Sequence, residues 1–186
     1  MIERLREATR ELHEEIEKEN EASKIIDHSI TLEEYKFLLL QNYIAYKVTE
    51  NAISGYLSDY PATKHEQLKK DLKNLNIDYS IAAKFDREFS CDSKAEALGA
   101  AYVVEGSAMG GLVIGRELQK CPQLSHLGEQ HFFNGKRDDV KNWNLFKKKL
   151  QNYHFSKEEE NIAVEKARET FRFFGKIFSE AGKTAI

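Results

Sequence analysis

Three segments of this chain read Ser/Thr-x-x-Glu directly ahead of an apolar, helically periodic run: Thr31-Leu32-Glu33-Glu34, Ser93-Lys94-Ala95-Glu96 and Ser156-Lys157-Glu158-Glu159. In this pattern the hydroxyl accepts a hydrogen bond from a backbone N–H that the first helical turn leaves unpaired, and the glutamate accepts one from the capping residue in return. Each segment therefore opens a helix. The first predicted helix of this kind runs from Leu32 to Leu57 through Leu38, Leu39, Tyr43, Tyr46 and Ile53. The second follows Ser93 and stops near Cys121-Pro122, and the third runs from Lys157 to Ala181 with Ile162, Ala163, Phe171, Phe174 and Phe178 inward. The acidic run Glu158-Glu159-Glu160 begins that last helix, where the helix dipole favours negative charge.

The remaining chain follows the same period. Leu5, Thr9, Leu12, His13 and Ile16 define one face of a helix over Ile2 to Lys18, which turns His13 inward. Further helices are predicted over Thr63 to Leu75 and Asp138 to Tyr153, the latter with a stripe at Val140, Trp143, Phe146 and Leu150, and a shorter amphipathic piece over Ser80 to Phe89. Gln123 to Lys136 reads as short helical turns with a turn at Asn134-Gly135. Pro61 and Pro122 are the chain's two prolines, and no alternating strand pattern or internal repeat competes. The expected fold is an all-α, single-domain helical bundle over residues 1–186.

Composition excludes several function classes. A net charge of -3 argues against a general nucleic-acid binder, which needs a dominant basic field. Cys91 and Cys121 are isolated and form no zinc or CxxC pattern, so they read as reduced thiols of a cytoplasmic protein. The N-terminus is charged and amphipathic rather than a signal peptide, and no apolar run is expected to approach membrane-spanning length, which predicts a soluble protein with no membrane partner.

The segment Tyr102 to Arg116 holds four of the chain's ten glycines, Gly106, Gly110, Gly111 and Gly115. Each costs a helix about 1 kcal/mol against alanine. Two readings remain open: a surface where a flat ligand meets backbone rather than side chains, or close helix packing through Gly-x-x-x-Gly. None of the six histidines has a glutamate three residues before it, which excludes the carboxylate-bridged di-iron bundle, and HExxH, P-loop and GxGxxG motifs are absent. His28, His65, His126, His131 and His154 fall in expected loops or edges and read as solvated. His13 is the histidine on an apolar helix face. Glu17 stands one turn on, where it can orient the ring, and Arg6 lies about two turns earlier on nearly the same face.

At these residues the sequence resembles the haem oxygenases. Leu5-Arg6-Glu7-Ala8-Thr9-Arg10-Glu11-Leu12-His13 is similar to the family's first-helix motif, and Glu105-Gly106-Ser107-Ala108-Met109-Gly110-Gly111 to the glycine-rich distal helix of its bacterial members, notably those that supply bacterial phytochrome chromophore. Thr31 to Ile53 and Phe155 to Phe178 resemble the second and last helices, so the likeness runs over nearly the whole chain. The resemblance implies that His13 is the proximal iron ligand and that Gly106, Gly110 and Gly111 let a kinked distal backbone lie over the haem. By the same match, Arg6 and Lys147 meet the propionates, Phe171 and Phe174 border the pocket, and Tyr46 joins a distal water network. Ser107 stands where animal members carry an aspartate, and Val103 where they carry an arginine, so Ser107, Tyr46 and water are the candidates for proton delivery. Nothing in the match tells where Glu105 points.

The implied activity is haem degradation, in which haem is both substrate and cofactor. O2 and reducing equivalents from a ferredoxin, flavodoxin or reductase convert it to biliverdin, carbon monoxide and ferrous iron. An acidic donor is expected to dock near Arg4, Arg6, Arg10 and Lys147 to Lys149. Three alternatives carry distinct expectations: a haem-binding or haem-delivery protein of the same fold, a thiamin-degrading relative that needs an active-site cysteine, and a helical interaction module.

Overall fold

The computed structural model describes residues 1–19 and 21–180. Among the described residues eight α-helices follow in order: α1 (Ile2–Glu19), α2 (Ser23–Ile26), α3 (Leu32–Ser54), α4 (Lys64–Asn74), α5 (Lys94–Gly106), α6 (Ala108–Leu118), α7 (Asp138–Asn152) and α8 (Lys157–Glu180). Short 3-10 turns cover Ser80–Phe85 and Pro122–Leu124, and no strand occurs among the described residues. The all-α expectation holds; the expected helix end at Ala181 lies outside the described residues.

Two of the three capping boxes form in full. Thr31 Oγ1 accepts from the Glu34 N–H at 3.2 Å while Glu34 Oε2 accepts from the Thr31 N–H at 2.8 Å, and Ser156 and Glu159 exchange the same pair at 3.2 and 2.7 Å. At α5 only half the box is made. Ser93 Oγ accepts from the Glu96 N–H at 3.2 Å, but the Glu96 carboxylate accepts from the Asp92 N–H at 2.8 Å and lies 3.2 Å from the buried Lys166 ammonium. A counter-charge from α8 outcompetes the local partner.

Helix α3 is the central element. Nearly every side chain from Tyr35 to Glu50 is buried, so it shows no polar face, and its polar groups are satisfied internally. Gln41 Nε2 donates to the Phe178 carbonyl at 2.6 Å, and Asn42 and Thr49 donate to carbonyls one turn back. The helix stops at Ser54 rather than Leu57 because the N–H groups of Tyr56 and Leu57 both turn back to the Ile53 carbonyl. Helix α5 lies against α8 so closely that a Cβ on Gly99 would overlap the Ala163 carbonyl; only glycine fits. Helix α1 packs on α8 through buried Leu5 and Thr9, and Arg168 Nε donates to the Ala8 carbonyl at 3.0 Å.

One expectation about hydropathy fails. Lys94–Leu118 is a 25-residue helical stretch whose most apolar 18-residue window has a mean hydropathy of 1.5, long and apolar enough to cross a membrane by length and composition. Its α5 half is apolar because it is core. Its α6 half is apolar for another reason.

Candidate functional site

The glycine-rich stretch is interrupted at one residue. Helix α5 ends at Gly106, α6 begins at Ala108, and Ser107 stands between them with helical dihedrals (φ −63°, ψ −14°). Its hydroxyl donates to the Val104 carbonyl at 2.8 Å, a local bond that competes with regular helix continuation. The four glycines divide between the two readings of the stretch. A Cβ on Gly115 would lie 2.8 Å from Gly135 Cα, so this glycine serves close packing against a loop whose own Gly135 holds φ +66°. A Cβ on Gly110 or Gly111 would meet nothing within 4 Å, and one on Gly106 would only touch Trp143 at 4.0 Å. Around these open glycines α6 is apolar but uncovered: Met109 is 53% exposed and Val113 50%, and only Ala108, Gly115 and Leu118 of this helix are buried. Two half-exposed apolar side chains beside two glycines leave this part of α6 without cover.

His13 does not point into the core as its apolar neighbours suggest. Leu5 and Thr9 are buried and Leu12 and Ile16 half-buried, which places His13 at the edge of that stripe with its side chain 56% exposed. The ring packs edge-on against Phe171 of α8 at 5.7 Å, and Nδ1 lies 3.5 Å from Glu17 Oε1. Nε2 is thus on the side of the ring away from the carboxylate.

A chain of side chains joins this imidazole to the helix interruption. Phe171 and Phe174 stand one turn apart on α8; Phe174 packs on Tyr46 at 5.1 Å, and Tyr46 is close enough to Ser107 for the serine to act on its phenol. Phe132 closes on the other side of Tyr46 at 5.2 Å, held there by Asp71, whose carboxylate accepts from the His131 and Phe132 N–H groups at 2.8 and 2.9 Å. Burial holds the Tyr46 phenol well above its ordinary range, so it remains a neutral donor. A second approach crosses between the helices: Thr9 of α1, whose hydroxyl donates to the Leu5 carbonyl, is close enough to Tyr102 of α5 to act on its phenol. Thr9 lies one turn before His13, and Tyr102 one turn before Gly106.

Basic side chains flank the same region. Tyr102 packs on Trp143 at 5.7 Å, Lys147 lies over the Trp143 ring at 5.3 Å, and Arg6 is close enough to Tyr102 to act on its phenol while pairing with Glu3. Arg4 is engaged by Glu160 at 2.7 Å and Lys149 by Asp59 at 2.6 Å.

Several polar residues differ from expectation. His65 is not solvated: its Nδ1 lies 2.6 Å from Glu50, itself buried. His28 is 2.8 Å from Glu117, and the His131 N–H is bound to Asp71; His126 and His154 are exposed as expected. Glu105 is turned away from solvent onto Lys64, a contact between helices distant in sequence that helical spacing could not reveal. Both cysteines are buried, and burial pushes the Cys91 thiol up to about 12, which suits no nucleophile. Among the described residues no group of three or more His, Cys, Asp or Glu side chains is placed to hold a metal ion.

The fold and this region together define an all-α protein that presents the accessible imidazole of His13 on α1 and a side-chain-poor, apolar start of α6. Comparison with family models matches the one described as "Heme oxygenase" over residues 1–180, and the chain belongs to the haem oxygenase family. Among solved structures it is similar to the NO- and CO-bound heme oxygenase of Neisseria meningitidis, at 23% identity and a TM-score of 0.77, covering 99% of this chain and 92% of that one. It is also similar to heme oxygenase-1 of the cyanobacterium Synechocystis sp. PCC6803 in complex with heme, at 19% identity and a TM-score of 0.70, covering 96% and 90%. At these identities the likeness shows the fold. Comparison with curated proteins gives no match.

Proposed function

We propose that this chain is a haem oxygenase that binds haem between His13 and the first turn of α6, and degrades it with O2 and donor electrons to biliverdin, carbon monoxide and ferrous iron. The observation that carries the reading is the uncovered apolar face around Gly110 and Gly111, joined through Tyr46, Phe174 and Phe171 to an exposed imidazole. The residues present fit haem. A porphyrin brings its own nitrogen ligands, so one imidazole completes the protein's share, and a flat ring needs a wall without side chains. When bound, haem supplies the iron at which O2 is activated and the meso carbon that is oxidised.

The chain's own residues supply position and protons. His13 would hold the iron, with Glu17 beside its Nδ1 orienting the ring. Gly106, Gly110 and Gly111 admit the ring close to backbone, and Phe171 and Phe174 form its border. Arg6 and Lys147, on either side of Tyr102 and Trp143, take the propionates. Ser107 gives its proton to the Val104 carbonyl and keeps its lone pairs beside the Tyr46 hydroxyl, so the two groups together hold an ordered water and deliver protons through it.

Hemin titration followed by reduction in air tests the reading. Wild type is expected to gain a Soret band that His13→Ala lacks, and then to lose it as a bilin forms. A Soret band that persists under reductant and air would leave a haem-binding protein, and no hemin binding would end the proposal. Because His13 is largely exposed, His13→Ala should change stability by less than about 0.5 kcal/mol.

A further inference from the structure

Glu105 stands two residues before the interruption at Ser107, and its carboxylate is turned onto Lys64 and Tyr60. Its side chain is buried, and so is that of its partner: Glu105 Oε2 lies 3.0 Å from Lys64 Nζ, with 6% and 4% of the two side chains accessible. The Tyr60 hydroxyl donates to Glu105 Oε1 at 2.8 Å. A second buried carboxylate, Glu50 of α3, accepts from the Lys64 N–H at 3.1 Å and from the His65 N–H and Nδ1 at 2.8 and 2.6 Å. Two carboxylates from two helices thus meet at the N-terminus of α4, where the dipole and the unpaired N–H groups favour negative charge.

The first turn of α6 has few side chains of its own to hold it. Ala108 is buried, but Gly110 and Gly111 bring no side chain to pack, and Met109 and Val113 are about half exposed. The later part of the helix is held by Ile114 on the core and by Gly115 against Gly135, and its start by the last turn of α5, one residue away across Ser107. Glu105 is the charged anchor of that last turn.

We infer that Glu105 is a positioning residue: its ion pair with Lys64 and its hydrogen bond from Tyr60 fix where the α5–α6 junction places Ser107 and the open glycines. The functional consequence rests on the haem oxygenase reading; the structural one does not. Removing the carboxylate leaves the Lys64 ammonium buried without this partner, whereas replacing both members by apolar groups removes that penalty.

Amide hydrogen exchange on the unliganded protein tests it, comparing wild type with Glu105→Gln and with Glu105→Leu/Lys64→Met. Both variants are expected to exchange at least tenfold faster over residues 108–112, while amides of Ala167 to Ile177 in α8 keep their wild-type rates. Unchanged exchange over 108–112, acceleration of both regions in parallel, or wild-type exchange in the paired variant would each overturn the inference. Should Glu105→Gln not fold, the paired variant, which holds no lone buried ion at this point, decides it. A second readout follows in reduced, hemin-loaded protein with carbon monoxide as the probe. The variants should keep the His13-dependent Soret band and shift the C–O stretch, and an unshifted stretch would overturn the functional consequence. If wild type takes up no hemin, the haem reading fails and the exchange result still stands by itself.

Discussion

Tyr46 of α3 stands beside Ser107 at the break between α5 and α6, close enough for the serine to act on its phenol, while Ser107 gives its own proton to the Val104 carbonyl at 2.8 Å. The tyrosine ring is held between Phe174 and Phe132 by edge-to-face contacts. Tyr46→Phe keeps that packing and removes the hydroxyl. We expect a stability change of less than about 1 kcal/mol by urea unfolding, below the usual net worth of one full hydrogen bond. Hemin affinity should be unchanged and bilin yield reduced at least tenfold. Ser107→Ala should lower the yield similarly, and the double variant no further, because one water-holding pair is lost either way. Additive losses would separate the two residues.

The glycines make opposite predictions within one helix. At Gly110 an added Cβ meets open space, so Gly110→Ala should stabilise the unliganded protein by up to about 1 kcal/mol through helix propensity. It should also weaken hemin binding, since the methyl enters the space assigned to the ring. At Gly115 the added Cβ falls on Gly135 and Phe133 backbone, so Gly115→Ala should destabilise by about 1–3 kcal/mol. Thermal melts with and without hemin check both. A Gly110→Ala variant that binds hemin as tightly as wild type would remove α6 from the site.

These glycines also show where sequence reading ran out. Periodicity and the capping residues Thr31, Ser93 and Ser156 placed the helices, because those signals are local and each hydroxyl meets its own helix's N–H. The motif around Ser107 announced an unusual helix, but spacing alone left ligand approach and helix packing equally open. The structure assigns Gly115 to packing and leaves Gly110 and Gly111 open, a distinction that depends on the loop at Gly135, 20 residues later in the chain. Four-residue α2 was too short for a period to register. The partners of Glu105 and His65 were hidden for the same physical reason: Lys64 lies 41 residues before Glu105, and Glu50 lies 15 before His65. His13 was misplaced inward because an apolar period fixes a stripe only to within one residue's rotation, and the histidine stands at its edge.

Acid should act through the cap of α3. Lys24 and the Thr31 backbone and hydroxyl draw the Glu34 carboxyl down to about 2 from 4.5. A carboxyl depressed in the folded state contributes stability above its unfolded value, and that contribution disappears as pH falls from about 4.5 to about 2. The group is partly solvated, so screening limits the ion-pair share. Glu34→Ala should then cost about 1 kcal/mol at pH 7, most of it from the capping box, and little by pH 2. Denaturant midpoints across that range should converge; parallel curves would mean that the carboxylate contributes through packing instead.

Electron delivery gives the last prediction. Of the basic residues expected to meet a donor, Arg4 is neutralised by Glu160, Arg6 by Glu3 and Lys149 by Asp59, whereas Arg10 and Lys148 are exposed on α1 and α7. A charge already paired adds little to the field an approaching acidic protein feels, so steering should fall mainly on Arg10 and Lys148. Arg10→Glu and Lys148→Glu are each expected to raise the donor's KM by about 2–5-fold at low salt, and Arg4→Glu by less. The differences should fade near 0.5 M salt, where the screening length is on the order of a few ångströms. A small neutral reductant provides the control, because its rate should ignore both the substitutions and the salt. If the protein donor's rate ignores them as well, the donor docks elsewhere on the bundle, while the assignment of His13 and α6 is untouched.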